Sequence, residues 1–268
     1  MTIATTVLLL LLIGLLAGLS GSLVGLGGGF IVVPAMAFLF PDMTPAHLAG
    51  TSMAMLLFNS LSSTYVYASQ RRIDYKAALS FAGASIPGSV IGAVLVRRIE
   101  GGAFFVSFGS FLLLVSLLIL FRPKRPIPLP WQPTSSRRLI DLSGVAFEYR
   151  YHLPTGVAIS FFVGFLSSLF GVGGGSLMVP TMTLLLSFPP HIAVATSMLQ
   201  ICLSAVVSTG SHAILQNIDW MKALLLAPGA LAGGQLGARL AKRLPAKLLL
   251  RTLAIMLIAV SVRLILKA

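Results

Sequence analysis

The sequence predicts an all-α polytopic membrane protein made of two homologous inverted repeats of four to five transmembrane segments each, eight to ten in all. Composition, an internal duplication and the placement of basic residues predict it. Of the 268 residues, 57% are hydrophobic and 9% charged, with a mean hydropathy of +0.98. A soluble domain is about 25% charged. Lys and Arg total 19 against 6 Asp and Glu. In a soluble fold that excess would point to nucleic acid, but here the basic residues lie in short clusters between apolar runs, as in cytoplasmic loops. Nucleic acid is therefore excluded as a partner, and the lipid bilayer is required. Cys202 is the only cysteine, which excludes an intramolecular disulfide or a cysteine metal site.

The first run extends from Ile3 to Phe40 without a charged residue. A span needs about 20 residues, so this run is too long for one helix and just short of two. It must break at Gly25–Phe30, "GLGGGF". It also lacks the basic leader of a signal peptide and reads as an uncleaved first span. The runs His47–Gln70, Tyr75–Val96 and Ala103–Phe121 complete a first membrane repeat, residues 1–121. Residues 122–152, which open with "RPKRPIPLPWQPTSSRR", read as a basic, Pro-rich cytoplasmic linker. The second repeat, residues 153–268, offers Leu153–Phe188, broken at "GVGGGS" (Gly171–Ser176), then His191–Gln216, Trp220–Ala241 and Leu248–Leu266.

A shift of 146 aligns Gly18–Pro34 with Gly164–Pro180, and a shift of 145 aligns Thr51-Ser52-Met53 with Thr196-Ser197-Met198, Ser63 with Ser208, and Asp74 with Asp219. The matches fall on Gly, Pro, Ser, Thr and Asp, whereas chance similarity between apolar runs would favour Leu, Val and Ala. Charge then orients the halves. If each broken run crosses twice, Arg71, Arg72 and Lys76, the linker residues Arg122, Lys124, Arg125, Arg137, Arg138 and Arg150, and the cluster Arg239, Lys242, Arg243, Lys247 and Arg251 share one side. Arg97, Arg98, Lys222, Arg263 and Lys267 face the other. The positive-inside rule prefers this arrangement, with both termini outside.

A phosphate-loop reading of the glycines fails on residues. Gly25–Phe30 lacks the Gly-Lys-Ser/Thr ending, and Phe30 stands where a dinucleotide fingerprint needs glycine. In lipid, non-helical backbone survives only inside protein or beside a wet cavity. Glycine breaks in corresponding places of two halves point to a transporter site. Half-helices opening near Phe30 and Ser176 aim partial positive charge between the halves, which suits an anion. The candidate substrate residues are Gly25, Gly27, Gly28 and Gly29 with Thr51, Ser52 and Asn59, and Gly171, Gly173, Gly174 and Gly175 with Thr196, Ser197 and Gln200. A bulky residue at Gly28 or Gly174 is expected to abolish transport and leave folded protein. The spaced glycines Gly88, Gly92, Gly233 and Gly237 read instead as helix packing.

No carboxylate lies mid-span. Asp74, Asp219 and His47 are the candidates for proton coupling, the two aspartates serving equally well as helix caps. There is no metal-ligand spacing, no cofactor motif and no nucleophile–base pair, so an enzyme is not expected.

"GLGGGFIVVP" and "GVGGGSLMVP", with "GTSM" and "ATSM" one span later, resemble the TauE/SafE sulfite exporter (TSUP) family across both halves. The resemblance implies an inner-membrane permease that exports small sulfur-containing anions such as sulfite, sulfoacetate or other organosulfonates, driven by the proton gradient. It places the substrate region at the same glycines and Thr-Ser pairs. An anion channel and a non-transporting assembly protein are the alternatives. The anion, the direction of transport and the oligomeric state are not legible.

Overall fold

The computed structural model describes residues 3–121, 132–241, 254–255, 258–262 and 264–265. The run Leu248–Leu266 lies largely outside them. So do Trp131 and the basic residues Arg122, Lys124, Arg125, Lys242, Arg243, Lys247, Arg251, Arg263 and Lys267.

The first half consists of α1 (Ile3–Val24), α2 (Gly29–Leu39), α3 (Pro45–Ser69), α4 (Tyr75–Leu95) and α5 (Gly101–Leu120). The second repeats the series as α6 (Leu153–Phe170), α7 (Gly175–Leu184), α8 (Pro190–Ile214) and α9 (Trp220–Leu240). Each broken run thus becomes a long helix, a glycine turn and a short helix. Among the described residues, five helices are long and apolar enough to cross a membrane: α1, α4 with its 3-10 extension, α5, α6 and α8.

The element boundaries follow local chemistry. Thr44 caps α3 through its hydroxyl, with Pro45 at the first helical position. Asp74 and Asp219 cap α4 and α9, their carboxylates accepting from the N–H of Ala77 and Lys222. The chain leaves α3 and α8 through left-handed residues at matching places, Arg71 (φ 55°) and Gln216 (φ 56°). Glycine is the ordinary occupant of such a position. Arg71→Gly is therefore expected to stabilise the protein by about 1 kcal/mol, read as a rise in thermal midpoint.

The halves complete each other. The first helix of each packs on the last shared helix of the other, α1 on α9 and α6 on α4. Both contacts run on glycine. A Cβ at Gly88 or Gly92 would lie 2.1 and 2.4 Å from the carbonyl oxygens of Phe161 and Phe165. At Gly229, Gly233 and Gly237 it would lie 2.2 to 2.4 Å from those of Leu11, Leu15 and Leu19. These small-residue stripes are close helix contacts, as the spacing predicts.

One element departs from the expected linker. Residues 135–151 form a β-hairpin, β1 (Ser135–Ile140) antiparallel to β2 (Ala146–Tyr151), with Ser135 opposite Tyr151 and Ile140 opposite Ala146. The two-residue alternation in "AFEYRY" is the signal for it; Pro and basic residues upstream mask it. Its inner face joins an apolar cluster. Tyr149 and Tyr151 pack at a tilt on Phe188, at 4.5 and 4.8 Å between ring centroids, and Phe81, Met178 and Met182 complete it. The bundle is otherwise helical, so the hairpin adds to the all-α class without altering the membrane part.

Candidate functional site

The two glycine breaks cross at the centre of the molecule. A Cβ on Gly29 would lie 2.0 Å from the Gly171 carbonyl oxygen, and one on Gly175 would lie 1.8 Å from that of Gly25. Gly27 and Gly173 meet between them. Gly25, Gly27, Gly171 and Gly173 all take left-handed φ, from 67° to 89°, a region closed to most side chains. Gly28 does so as well (φ 97°), whereas its counterpart Gly174 is right-handed (φ −62°).

The Thr-Ser pairs hold this crossing reciprocally. Ser52 donates to the Gly171 carbonyl (2.6 Å), and Ser197 donates to that of Gly25 (3.1 Å). Thr196 accepts from the Asp74 N–H and Thr51 from the Asp219 N–H, both at 3.0 Å. The sequence offers these hydroxyls to a substrate; in the structure they bind the opposite half. Asn59 is engaged too, its amide donating to the Gly27 carbonyl (2.7 Å) while its oxygen accepts from Ser22. Gln200 differs: it is 2% exposed, and its side-chain oxygen has no hydrogen-bond partner among the described residues.

The helix starts are where donors remain. Ile31 and Val32 bond to the Gly28 carbonyl, and Ser176 and Met178 bond to those of Gly173 and Gly174. The N–H groups of Gly28 and Gly29, and of Gly174 and Gly175, have no acceptor among the described residues. Leu56 and Ile201, counterparts under the 145-residue shift, close over the crossing, the former against Gly27 and Gly173 and the latter against Gly27 and Gly175. The arrangement offers an anion buried N–H groups and two helix N-termini, with apolar side chains keeping water away.

Sequence reasoning missed a second network beside it, duplicated within each half. Ser22 pairs with Ser63 and accepts at its carbonyl from the Tyr67 hydroxyl (2.7 Å). In the other half Ser168 pairs with Ser208 (2.8 Å) and its carbonyl faces His212 Nε2 (3.2 Å). The repeat identities Ser22/Ser168 and Ser63/Ser208 were the available signal.

The proton-coupling candidates sit at the starts of α4, α9 and α3, Asp74 and Asp219 being joined to the Thr-Ser pairs through their N–H groups. Asp74 is buried beneath the hairpin, where Tyr149 donates to it (2.8 Å) and Arg137 lies at 3.5 Å. Burial, then the Asp74 charge, push the Tyr149 phenol well above its ordinary range, so it remains a donor. Asp219 pairs with Lys222, and His47 is half-buried with Nδ1 on Thr44. Among the described residues no His/Cys/Asp/Glu group has the arrangement to hold a metal.

Asp141, in the hairpin turn, is held by Arg72 (2.8 Å) and by the N–H groups of Ser143 and Val145. The Arg72 hydrogen bond outweighs burial and holds the Asp141 carboxyl below the usual carboxylate range. A lowered folded pKa means stability present at pH above the ordinary carboxylate value and lost as pH falls through the lower, folded one. Hairpin docking is thus expected to be constant down to about pH 4 and to weaken below it. Hydrogen exchange of β1 and β2 against pH checks this, and Asp141→Asn should remove the part of the dependence that the Arg72–Asp141 pair contributes.

A duplicated, reciprocally packed bundle of apolar helices with broken helices crossing at its centre defines a polytopic membrane transporter. The sequence model for "Sulfite exporter TauE/SafE" matches residues 10–264. The chain belongs to that family and is a multi-pass protein of the plasma membrane. Similar proteins include the "Probable membrane transporter protein YunE" of Bacillus subtilis, 43% identical over 264 residues and 96% of each chain. A "Probable membrane transporter protein" of Xylella fastidiosa is 28% identical over 252 residues, covering 93% of this chain and 91% of the other. The "Probable membrane transporter protein MJ0441" of Methanocaldococcus jannaschii is 26% identical over 254 residues, covering 89% and 88%. No solved structure matches. These relatives are named as transporters, and the chain is not an enzyme.

The sterics divide the expectation for Gly28 and Gly174. A Cβ at Gly28 would lie 2.3 Å from the Ala17 carbonyl oxygen, on a left-handed residue, so a bulky replacement there prevents folding. At Gly174 the nearest atom is Val163 Cγ1, at 3.0 Å.

Proposed function

We propose that the protein is a secondary-active permease that moves small sulfur-containing anions such as sulfite, sulfoacetate or other organosulfonates in the direction of export, using the proton gradient. The observation that carries this is the crossing of two glycine breaks whose helix N-termini leave buried N–H groups without acceptors among the described residues. The anion sits there, between halves inverted relative to each other, and is exposed alternately as one half rocks against the other. The Ser52–Gly171 and Ser197–Gly25 bonds tie each break to the opposite half and are made and broken in the cycle. Protons are the coupling ion, with Asp74, Asp219 and His47 as candidate carriers. Domains follow the repeats at 1–121 and 153–268, with 122–152 between them.

The test is flux in proteoliposomes under an imposed pH gradient, comparing sulfite, sulfoacetate and chloride. Gradient-driven flux of the sulfur anions, lost in Gly174→Leu while the protein stays monodisperse, is the expected result. Equal flux of all three without regard to the gradient would establish a channel instead.

A further inference from the structure

The repeat places different rings at one matched position. Tyr67 and His212 correspond under the 145-residue shift, both are buried, and each meets the corresponding carbonyl of its own half, that of Ser22 or of Ser168. For that bond alone a phenol suffices, and a phenol keeps its proton throughout the physiological range. Imidazole, with an ordinary pKa of about 6.5, exchanges one there. The ring of the second half therefore has a capacity that its counterpart lacks.

Its hydrogen bonds fix its state. The Ser168 carbonyl only accepts, so Nε2 carries the hydrogen, and the bare Nδ1 accepts from the Asn217 amide (3.2 Å). The same amide nitrogen reaches the Ala93 carbonyl in α4 (3.4 Å), a tie between the halves. A proton added to Nδ1 would set N–H against N–H. Asn217 must then turn, and offering its oxygen instead would aim that oxygen at the Ala93 carbonyl, so either movement gives up the tie. At its other nitrogen the ring holds the last turn of α6, three residues before Gly171. Protonation is thus linked to the seam between α4 and α8 and to the approach to the second glycine break.

Asn217 also lines an open pocket with Thr44, His47 and Arg97 among others, which puts solvent one side chain away from Nδ1. The groups around the ring are uncharged: Ser168 of α6, bonded in turn to Ser208 of α8, and the Ala93 carbonyl of α4 beyond Asn217. Among the described residues no charged group acts electrostatically on His212. Arg97 and His47 lie on the far side of Asn217, and Asp219, two residues along, is paired with Lys222.

On the reading of the chain as a proton-coupled permease, we propose that His212 carries the coupling proton. Water in the pocket delivers it to the Nδ1 lone pair, and it returns to water once the halves have rearranged and Asn217 re-forms its bonds. The neutral ring ties α4 to α8, and the protonated ring releases them. This adds a carrier buried inside the bundle to the candidates at the helix starts.

His212→Gln is the test, because a glutamine amide can donate to the Ser168 carbonyl but cannot hold a proton. Two fluxes of sulfite are compared in proteoliposomes: net flux driven by an imposed pH gradient, and one-for-one exchange across the membrane without a gradient. The parent is expected to show both, and the variant exchange alone. Driven flux retained in His212→Gln overturns the assignment. So does an equal loss of driven flux and exchange in folded protein, which is what a purely structural role produces. If His212→Gln does not fold, His212→Tyr, the ring that the first half already carries there, gives the same readout. A parent without gradient-driven flux would refute the proton-coupled permease and this assignment with it, whereas driven flux in parent and variant alike refutes the assignment alone.

Discussion

Gly175→Ala is expected to abolish transport and to reduce folded protein sharply, while Gly174→Ala, one residue earlier, retains both. The first change drives a methyl group to 1.8 Å from the Gly25 carbonyl oxygen, a backbone atom that the crossing holds on every side. Relief requires the two halves to separate at their centre. Overpacking that cannot relax costs about 3 kcal/mol or more, a large share of the stability of any domain. At Gly174 the backbone is right-handed and the nearest atom belongs to a valine side chain. Monodisperse yield on size exclusion, followed by sulfite flux in proteoliposomes, separates the two variants. Equal behaviour would mean that the glycine segments do not meet as described.

Asn59→Leu is the second large effect. The amide holds the Gly27 carbonyl and the side-chain oxygen receives Ser22, all of them buried. Leucine leaves the Gly27 carbonyl without its donor in an apolar surround, at about 1–3 kcal/mol, while Ser22 keeps its pairing with Ser63. The counterpart position, Ser204, only bonds back to its own helix at the carbonyl of Gln200. The Gly173 carbonyl takes its hydrogen bonds from Ser176 instead. Ser204→Ala is therefore expected to change stability by less than about 1 kcal/mol. The thermal midpoints of the two variants, measured in the same detergent, check the contrast.

Much of the fold is legible because both its signals are coarse. A charge-free run from Ile3 to Phe40 must break, and the only glycine triplet in it marks the place. The duplication, read from Gly, Ser, Thr and Asp, anticipates the matched lengths of α3 with α8 and of α4 with α9. Partners are harder to read, because periodicity says which face is apolar and not which helix covers it. Nothing in the spacing of Thr51 or Ser52 distinguishes a hydroxyl aimed at a ligand from one aimed at a carbonyl 119 residues away. The hairpin escaped for a different reason. Its strands are short and amphipathic, and their stability comes from Phe81 and Phe188, which the sequence places in other elements.

The exchange of helices between halves sets a schedule for synthesis. The glycine stripe that covers α1 belongs to α9, and about 200 residues must be made between Val24 and Trp220. At about 5–20 residues per second, α1 waits some tens of seconds in the membrane with its true neighbour not yet made. During that interval the first half is exposed to quality control, and a chain stopped before α9 should be degraded rather than stored. An ancestor carrying a single repeat would have met the same need by exchanging its first helix with a second copy, so that assembly between chains preceded folding within one.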